Sequence, residues 1–88
     1  MKISFHATIR DAAGTSEAEV DAASIRELLD KLREMFGAKM FDLLVDKGAL
    51  REDVVILING KNVLLSSGID TPLSPDDDVA IFPPVSGG

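Results

Sequence analysis

The segment between Ser24 and Gly37 limits the fold most, because it is the one long run with a clear helical period. Ser24 followed by Glu27 is typical of a capping box, and Gly37 suits the position just beyond a helix end. The apolar residues recur every three or four positions and form one stripe: Ile25, Leu28, Leu29, Leu32 and Phe36. One helix with one apolar face requires a second layer to cover it.

Charged residues occupy the rest of this helix, and two pairs of opposite charge lie four positions apart. We expect Arg26 to pair with Asp30, and Glu27 to pair with Lys31. Such pairs add little stability, but they indicate which side of the helix faces solvent.

The first ten residues, MKISFHATIR, alternate between apolar and polar side chains and predict a half-buried strand. The side chains predicted to face inward are Ile3, Phe5, Ala7 and Ile9. A turn over 11–15 and a second strand over 17–21 complete a predicted antiparallel hairpin. His6, the only histidine, falls on the polar side of the first strand, and we assign it no role.

The second half of the chain predicts a short second helix and three strands. A helix ending near Gly48 is indicated by four apolar residues: Met40, Phe41, Leu44 and Val45. The apolar run 54–58 is typical of a buried strand, and Asn59-Gly60 after it predicts a hairpin turn in which both residues have positive φ. The returning strand is expected over 63–65, and the last strand, 79–82, ends before a proline.

This order of elements predicts an α+β domain, with a mixed sheet of about five strands packed on one main helix and a short second helix. We expect residues 1–82 to form this domain and residues 83–88 to form a flexible C-terminal tail. One helix covers only one face of the sheet. The side chains assigned by strand parity to the covered face are Ile56, Ile58, Val79 and Ile81.

The opposite parity leaves an apolar set on the open face of the sheet, next to the tail: Val55, Leu57, Ala80 and Phe82. An exposed apolar patch of this kind is more often an interaction surface than an accident, so we predict that these residues bind a partner. Two alternatives remain: the segment 38–50 folds over the patch, or the parity is reversed.

Composition excludes several classes of function. The chain has no cysteine, and its single histidine cannot form a metal cluster, so we predict neither a catalytic residue nor a metal site. A net charge of −6 disfavours nucleic acid as a partner and suits a basic protein, although it also serves solubility. The acidic run 76–78 is interpreted as a solvated turn rather than a cation site. No membrane span or signal-peptide pattern is present, and we expect a cytoplasmic protein.

The chain ends FPPVSGG, which combines a stiff segment with a loose one. Pro83 and Pro84 restrict φ and favour an extended stalk, whereas Gly87 and Gly88 lack β-carbons and can pass through a narrow channel. Val85 offers one apolar anchor between these segments, and Ser86 a small polar hinge. Such an end is suited to presenting the Gly88 carboxylate to another protein.

The motifs IRDAAG, SIRELL, ILINGKNV and DTPLSPDDDVAIFPP, together with FPPVSGG, occur in the order typical of one family. The chain resembles the small subunit of molybdopterin synthase and the small archaeal modifier proteins. The resemblance implies a ubiquitin-like β-grasp fold. The segment 38–53 looks longer than in compact bacterial small subunits and resembles the archaeal members.

The resemblance also implies a carrier rather than an enzyme. A ubiquitin-activating-type enzyme would use ATP to adenylate Gly88, no cofactor would be bound permanently, and sulfur transfer would give a thiocarboxylate. In molybdopterin synthesis the tail would enter the synthase large subunit, whereas in a modifier Gly88 would join to lysines of target proteins. The same end would also suit a carrier of the thiamine or cysteine pathway, and a β-grasp binding domain with an unreactive end would share the fold.

Overall fold

The computed structural model describes residues 1–83. Its helices are α1 (Thr8–Ala13), α2 (Ile25–Phe36) and α3 (Ala38–Asp42). Its strands are β1 (Lys2–Phe5), β2 (Glu17–Glu19), β3 (Val45–Asp46), β4 (Ala49–Leu50), β5 (Val55–Ile58), β6 (Lys61–Asn62) and β7 (Asp78–Phe82), and two short 3₁₀ helices cover 63–65 and 68–70. None of the helices in this part of the chain is long and apolar enough to cross a membrane.

Five strands form one mixed sheet in the order β2-β1-β7-β5-β6, and β3 and β4 form a separate small hairpin. The pairing of β1 with β7 is parallel, and the other pairs in the large sheet are antiparallel. The predicted α+β architecture, with about five strands and one main helix, is confirmed. The central position of β7 places the end of the described chain in the middle of the sheet.

The helix α2 forms where its sequence predicts it. Ser24 is the N-cap, and its side-chain oxygen accepts a hydrogen bond from the Glu27 amide. Gly37 ends the helix at φ 95°, a left-handed conformation that favours glycine, and its amide donates to the Arg33 carbonyl. The buried stripe of the helix packs on the inward side chains of the sheet, among them Ile3, Phe5, Ile56, Val79 and Ile81.

The first predicted strand is too long, because the chain leaves the sheet after Phe5. Ala7 has φ 53° and is exposed rather than inward, and α1 then runs through most of the predicted turn. Ile9 is nevertheless fully buried, as predicted, because it lies on the side of α1 that packs into the core. Gly14 ends α1 with φ 75°.

Two further element predictions need correction. The helix predicted to reach Gly48 ends at Asp42, and the hairpin β3–β4 follows it, turning at Lys47 and Gly48, both with positive φ. The returning strand after Asn59-Gly60 is Lys61–Asn62 and not 63–65, because the Asn62 side chain accepts a hydrogen bond from the Leu64 amide and starts a 3₁₀ helix over 63–65. The Asn59-Gly60 turn itself is confirmed, with φ 52° and 87°.

Candidate docking face and tail attachment

Strand β7 is held on both sides, which fixes the root of the C-terminal segment. Its neighbour β1 places Ser4 beside Ala80 and Phe5 beside Ile81. On the other side β5 places Val55 opposite Phe82 and Leu57 opposite Ala80. Because directly paired residues point to the same face of a sheet, these registers decide which side chains meet.

The structure brings together the four residues predicted for the open face, and they point away from α2: Val55, Leu57, Ala80 and Phe82. Each of these side chains keeps part of its surface exposed, whereas Ile56, Val79 and Ile81 on the other face are buried. Ile58, which we also assigned to the core, is only partly buried because it lies at the end of β5, beside the turn. The name open face is used below for the four partly exposed residues Val55, Leu57, Ala80 and Phe82.

The segment 38–50 belongs to the helical layer. Helix α3 packs against α1 and α2, and Met40 and Leu44 are fully buried in the core cluster. The alternative in which this segment folds over the open face is therefore wrong.

His6 lies beside the open face, which sequence analysis did not foresee. Its imidazole ring is stacked on the Phe82 ring, with the centroids 4.2 Å apart and the planes 8° from parallel. The His6 amide donates to the Ile81 carbonyl at 3.1 Å, which continues the β1–β7 pairing by one residue. The alternation of MKISFH places His6 on the same side as Ser4, but only the parallel pairing with β7 shows that this side meets Phe82.

Polar groups of β1 and β2 border the open face on one side. His6 Nε2 lies 3.3 Å from Ser4 Oγ, and Ser4 Oγ donates to the Val79 carbonyl at 3.4 Å. Farther out, Lys2 Nζ and Glu17 Oε2 form an exposed ion pair at 3.2 Å. The open face therefore has an apolar centre with a polar border on the β2 side.

The acidic run 76–78 lies at the opposite end of β7 and folds as the predicted local turn. Asp77 Oδ2 accepts from the Ser74 amide at 2.7 Å, and Asp77 Oδ1 accepts from Asn59 Nδ2 at 2.8 Å. The hydrogen bond from Ser74, followed by that from Asn59, lowers the pKa of Asp77. Within residues 1–83 no group of three or more acidic or histidine side chains could hold a metal ion.

Strand β7 ends at Phe82, directly before Pro83, as predicted. Proline lacks an amide N–H and cannot donate to a strand ladder. The other predicted tail residues lie outside the described residues: Pro84, Val85, Ser86, Gly87 and Gly88. Their roles, and the domain boundary after residue 82, stay predictions.

Comparison with known proteins decides the family. Residues 3–88 match the model of the ThiS family, which is almost the whole chain. The chain belongs to the ThiS family.

Members of this family and their structural neighbours include sulfur carriers and protein modifiers. The chain is 36% identical to the molybdopterin synthase sulfur carrier subunit of Escherichia coli, over 100% of this chain and 99% of that protein. It is 30% identical to small archaeal modifier protein 3 of Haloferax volcanii, over 100% and 98% of the two chains. A solved complex of BexX and CysO from Amycolatopsis orientalis contains a chain with TM-score 0.85 and 25% identity, covering 99% of this chain and 98% of that one. This ThiS-family chain has the ubiquitin-like β-grasp fold.

Proposed function

We propose that this chain is a ubiquitin-like sulfur carrier whose Gly88 carboxylate is adenylated and then converted to a thiocarboxylate. The observation that carries the proposal is the family match, which continues through the Pro-Pro-Val-Ser-Gly-Gly end to residue 88. The structure supports it through the position of β7, because the central strand leads directly from the open face into this end.

The proposed activation overcomes the poor reactivity of a carboxylate. The Gly88 carboxylate oxygen attacks the α-phosphorus of ATP, pyrophosphate leaves, and an acyl-adenylate remains. Hydrosulfide then adds to the acyl carbon, AMP leaves, and loss of the S–H proton gives the thiocarboxylate. ATP and the activating groups belong to a ubiquitin-activating-type enzyme, so this chain acts as a co-substrate that needs no cofactor of its own.

The chain contributes binding and positioning to this chemistry. The open face offers a partly exposed apolar surface. Its residue Phe82 is the last of β7, so this surface lies next to the start of the tail. We assign to this face the docking of the adenylating enzyme. Gly87 and Gly88 lack side chains and can pass through a channel too narrow for larger residues. Because the activation consumes ATP, we assign it to the cytoplasm.

The favoured destination of the sulfur is molybdopterin biosynthesis. Support comes from the Escherichia coli relative, which is named as a molybdopterin synthase sulfur carrier subunit and matches over nearly its full length. In this role the tail of our chain enters the large subunit of the synthase. There the thiocarboxylate sulfur attacks a carbon of the pterin precursor and displaces an oxygen substituent, and water then cleaves the acyl–sulfur bond, which leaves the sulfur on the pterin and restores the Gly88 carboxylate. The same face then serves two partners in turn.

A second candidate is a protein modifier, favoured by the Haloferax volcanii relative of that name. Here a lysine amine of a target protein attacks the activated Gly88 carbonyl and forms an isopeptide bond. Carriers of the thiamine and cysteine pathways use the same activated end, and the CysO neighbour supports the cysteine alternative. A β-grasp domain without a reactive end is the remaining candidate.

Mass spectrometry of the protein purified from its own host tests the proposal. We expect an intact mass raised by the replacement of one oxygen by sulfur, and fragmentation that assigns the change to Gly88. A Gly-Gly remnant on lysines of other proteins after digestion would instead favour the modifier. If neither form occurs, even when the activating enzyme is present in excess, the carrier proposal is wrong.

A further inference from the structure

His6 adds hydrogen-bonding atoms to the edge of an otherwise apolar docking surface. Its ring is stacked on the Phe82 ring, with the centroids 4.2 Å apart, and its amide donates to the Ile81 carbonyl. The four side chains of the open face offer a partner contact area but no polar group. A directional contact beside Phe82 therefore depends on the imidazole.

The hydrogen bonds of Ser4 decide which ring nitrogen of His6 carries the proton. Ser4 Oγ donates its single proton to the Val79 carbonyl at 3.4 Å. The contact of 3.3 Å between Ser4 Oγ and His6 Nε2 then requires Nε2 to be the donor. In the neutral imidazole the other nitrogen, Nδ1, is consequently an acceptor.

Nδ1 of His6 is open to solvent. Within residues 1–83 it has no hydrogen-bond partner, and no buried side-chain nitrogen or oxygen in this part of the chain is left without one. Because His6 is only partly buried, Nδ1 must contact solvent. A protein that covers the stacked rings removes this contact and has to supply a donor in its place, since an unpaired buried acceptor is costly.

The charges on this side of the sheet favour a cationic donor. Directly paired residues of β1, β2 and β7 share one face, and three carboxylates stand there with one lysine: Glu17, Glu19, Asp78 and Lys2. Lys2 and the N-terminal ammonium pair with two of these carboxylates, so the balance stays negative, as it does for the whole chain. An arginine or lysine of a partner is attracted to this surface, whereas a carboxylate is repelled.

We propose that Nδ1 of His6 accepts a hydrogen bond from an arginine or lysine side chain of the adenylating enzyme, which makes His6 a specificity-determining residue of the docking surface. This inference rests on the proposed function. The stack on Phe82 and the bond to Ser4 hold the imidazole before binding, so little side-chain freedom is lost when the partner arrives. A protein that presents an acceptor at this point leaves two acceptors facing each other and is rejected.

Titration calorimetry with the ubiquitin-activating-type enzyme of the same organism tests the proposal on a set of His6 variants. His6→Asn carries its amide oxygen on the same carbon that bears Nδ1, and His6→Asp places a charged oxygen there. His6→Gln extends its polar group towards Ser4 instead, His6→Phe keeps only the ring, and His6→Ala removes everything. Thr8→Ala, at an exposed position two residues later, is the matched control.

We expect His6→Ala to weaken binding about tenfold, because a hydrogen bond from a charged donor is worth about that factor. His6→Phe and His6→Gln should lose about as much, whereas His6→Asn should recover most of the affinity. His6→Asp should bind more tightly than His6→Asn, because only a cationic donor gains from the added charge. Thr8→Ala should equal the wild-type protein. Nitrogen NMR of the free protein, with the imidazole neutral, should show the proton on Nε2.

Several results would overturn the inference. Wild-type affinity for His6→Ala or for His6→Phe would do so, as would recovery by His6→Gln but not by His6→Asn. Weaker binding of His6→Asp than of His6→Asn would exclude a cationic donor, and a proton on Nδ1 would exclude the acceptor. ATP–pyrophosphate exchange separates the two levels of the argument: if the wild-type protein supports exchange and His6→Ala binds as tightly, only this inference fails, and if the wild-type protein supports none, the proposed function fails.

Discussion

Phe82 lies directly opposite Val55 in the antiparallel pairing of β5 with β7, and both side chains stay partly exposed on the face away from α2. This pair forms the end of the open face nearest the tail. Across β7, the His6 ring stacks on Phe82 and widens the apolar surface towards β1.

A charge at Phe82 is expected to weaken docking. Phe82→Asp replaces an apolar ring with a carboxylate that must lose its hydration when a partner covers the face. Truncating a hot-spot residue near the centre of an interface costs about 2 kcal/mol or more, and about 1.4 kcal/mol is tenfold in affinity, so we expect affinity for the activating enzyme to fall about tenfold or more. Titration calorimetry measures the change.

Met35→Asp is the matched control for this prediction, because Met35 is half-exposed on α2, in the other layer of the molecule. We expect its affinity for the enzyme to equal that of the wild-type protein. If Phe82→Asp stays folded and binds as tightly as the control, the open face is not the docking surface.

Deletion of Gly87 and Gly88 is expected to leave the domain folded and to abolish adenylation. The buried core described by the structure lies entirely within residues 1–81, so the deletion removes none of it. Circular dichroism and thermal unfolding should match the wild-type protein, while ATP–pyrophosphate exchange should disappear. Exchange that survives the deletion would show that Gly88 is not the activated group.

Removing the N-cap of α2 tests whether the contact between Ser24 and Glu27 stabilises the main helix. Ser24→Ala deletes the hydroxyl that accepts from the Glu27 amide, and such changes cost about 1 kcal/mol in the free energy of unfolding. Urea unfolding should give a lower midpoint with an unchanged slope. Ser16→Ala, at an exposed turn position, should leave the midpoint where it is; equal midpoints for all three proteins would contradict the role of the cap.

The Asp77 turn is expected to make stability depend on pH in the acid range. Because the folded state lowers the pKa of Asp77, the ionised carboxylate stabilises the fold above its unfolded pKa, about 4, and this contribution is lost as the pH falls through the lower folded value. Asp77→Asn should flatten this part of the stability profile, whereas Asp76→Asn should not. Parallel acid profiles for the wild-type protein and Asp77→Asn would contradict the assignment.

The elements predicted correctly from sequence are those formed by contacts between near neighbours. The cap of α2 joins Ser24 to Glu27, and the turn at Asn59 and Gly60 needs only two residues with positive φ. The ion pair of Glu27 with Lys31 spans one helical turn and is present at 3.4 Å. Arg26, by contrast, binds Asp70 at 2.9 Å rather than the predicted Asp30, because the fold brings the 3₁₀ helix 68–70 beside α2.

Part of the candidate site could also be predicted, because that part depends on local properties of the chain. Strand parity assigned Val55, Leu57, Ala80 and Phe82 to one face, since alternation is a local property of a strand. His6 could not be assigned, because its neighbour is set by the parallel pairing of β1 with β7, across nearly the whole chain. No local pattern specifies which strands pair when they lie so far apart.

The sequence by itself determined the main helix, the Asn59-Gly60 turn, and the inward and outward sides of β5 and β7. The tertiary structure decided that β7 lies in the centre of the sheet, that α1 replaces the end of the first strand, and that His6 meets Phe82. The physical reason is that periodicity and turn propensity act within a few residues. Strand order and ring stacking depend on which distant segments bury their apolar surfaces together.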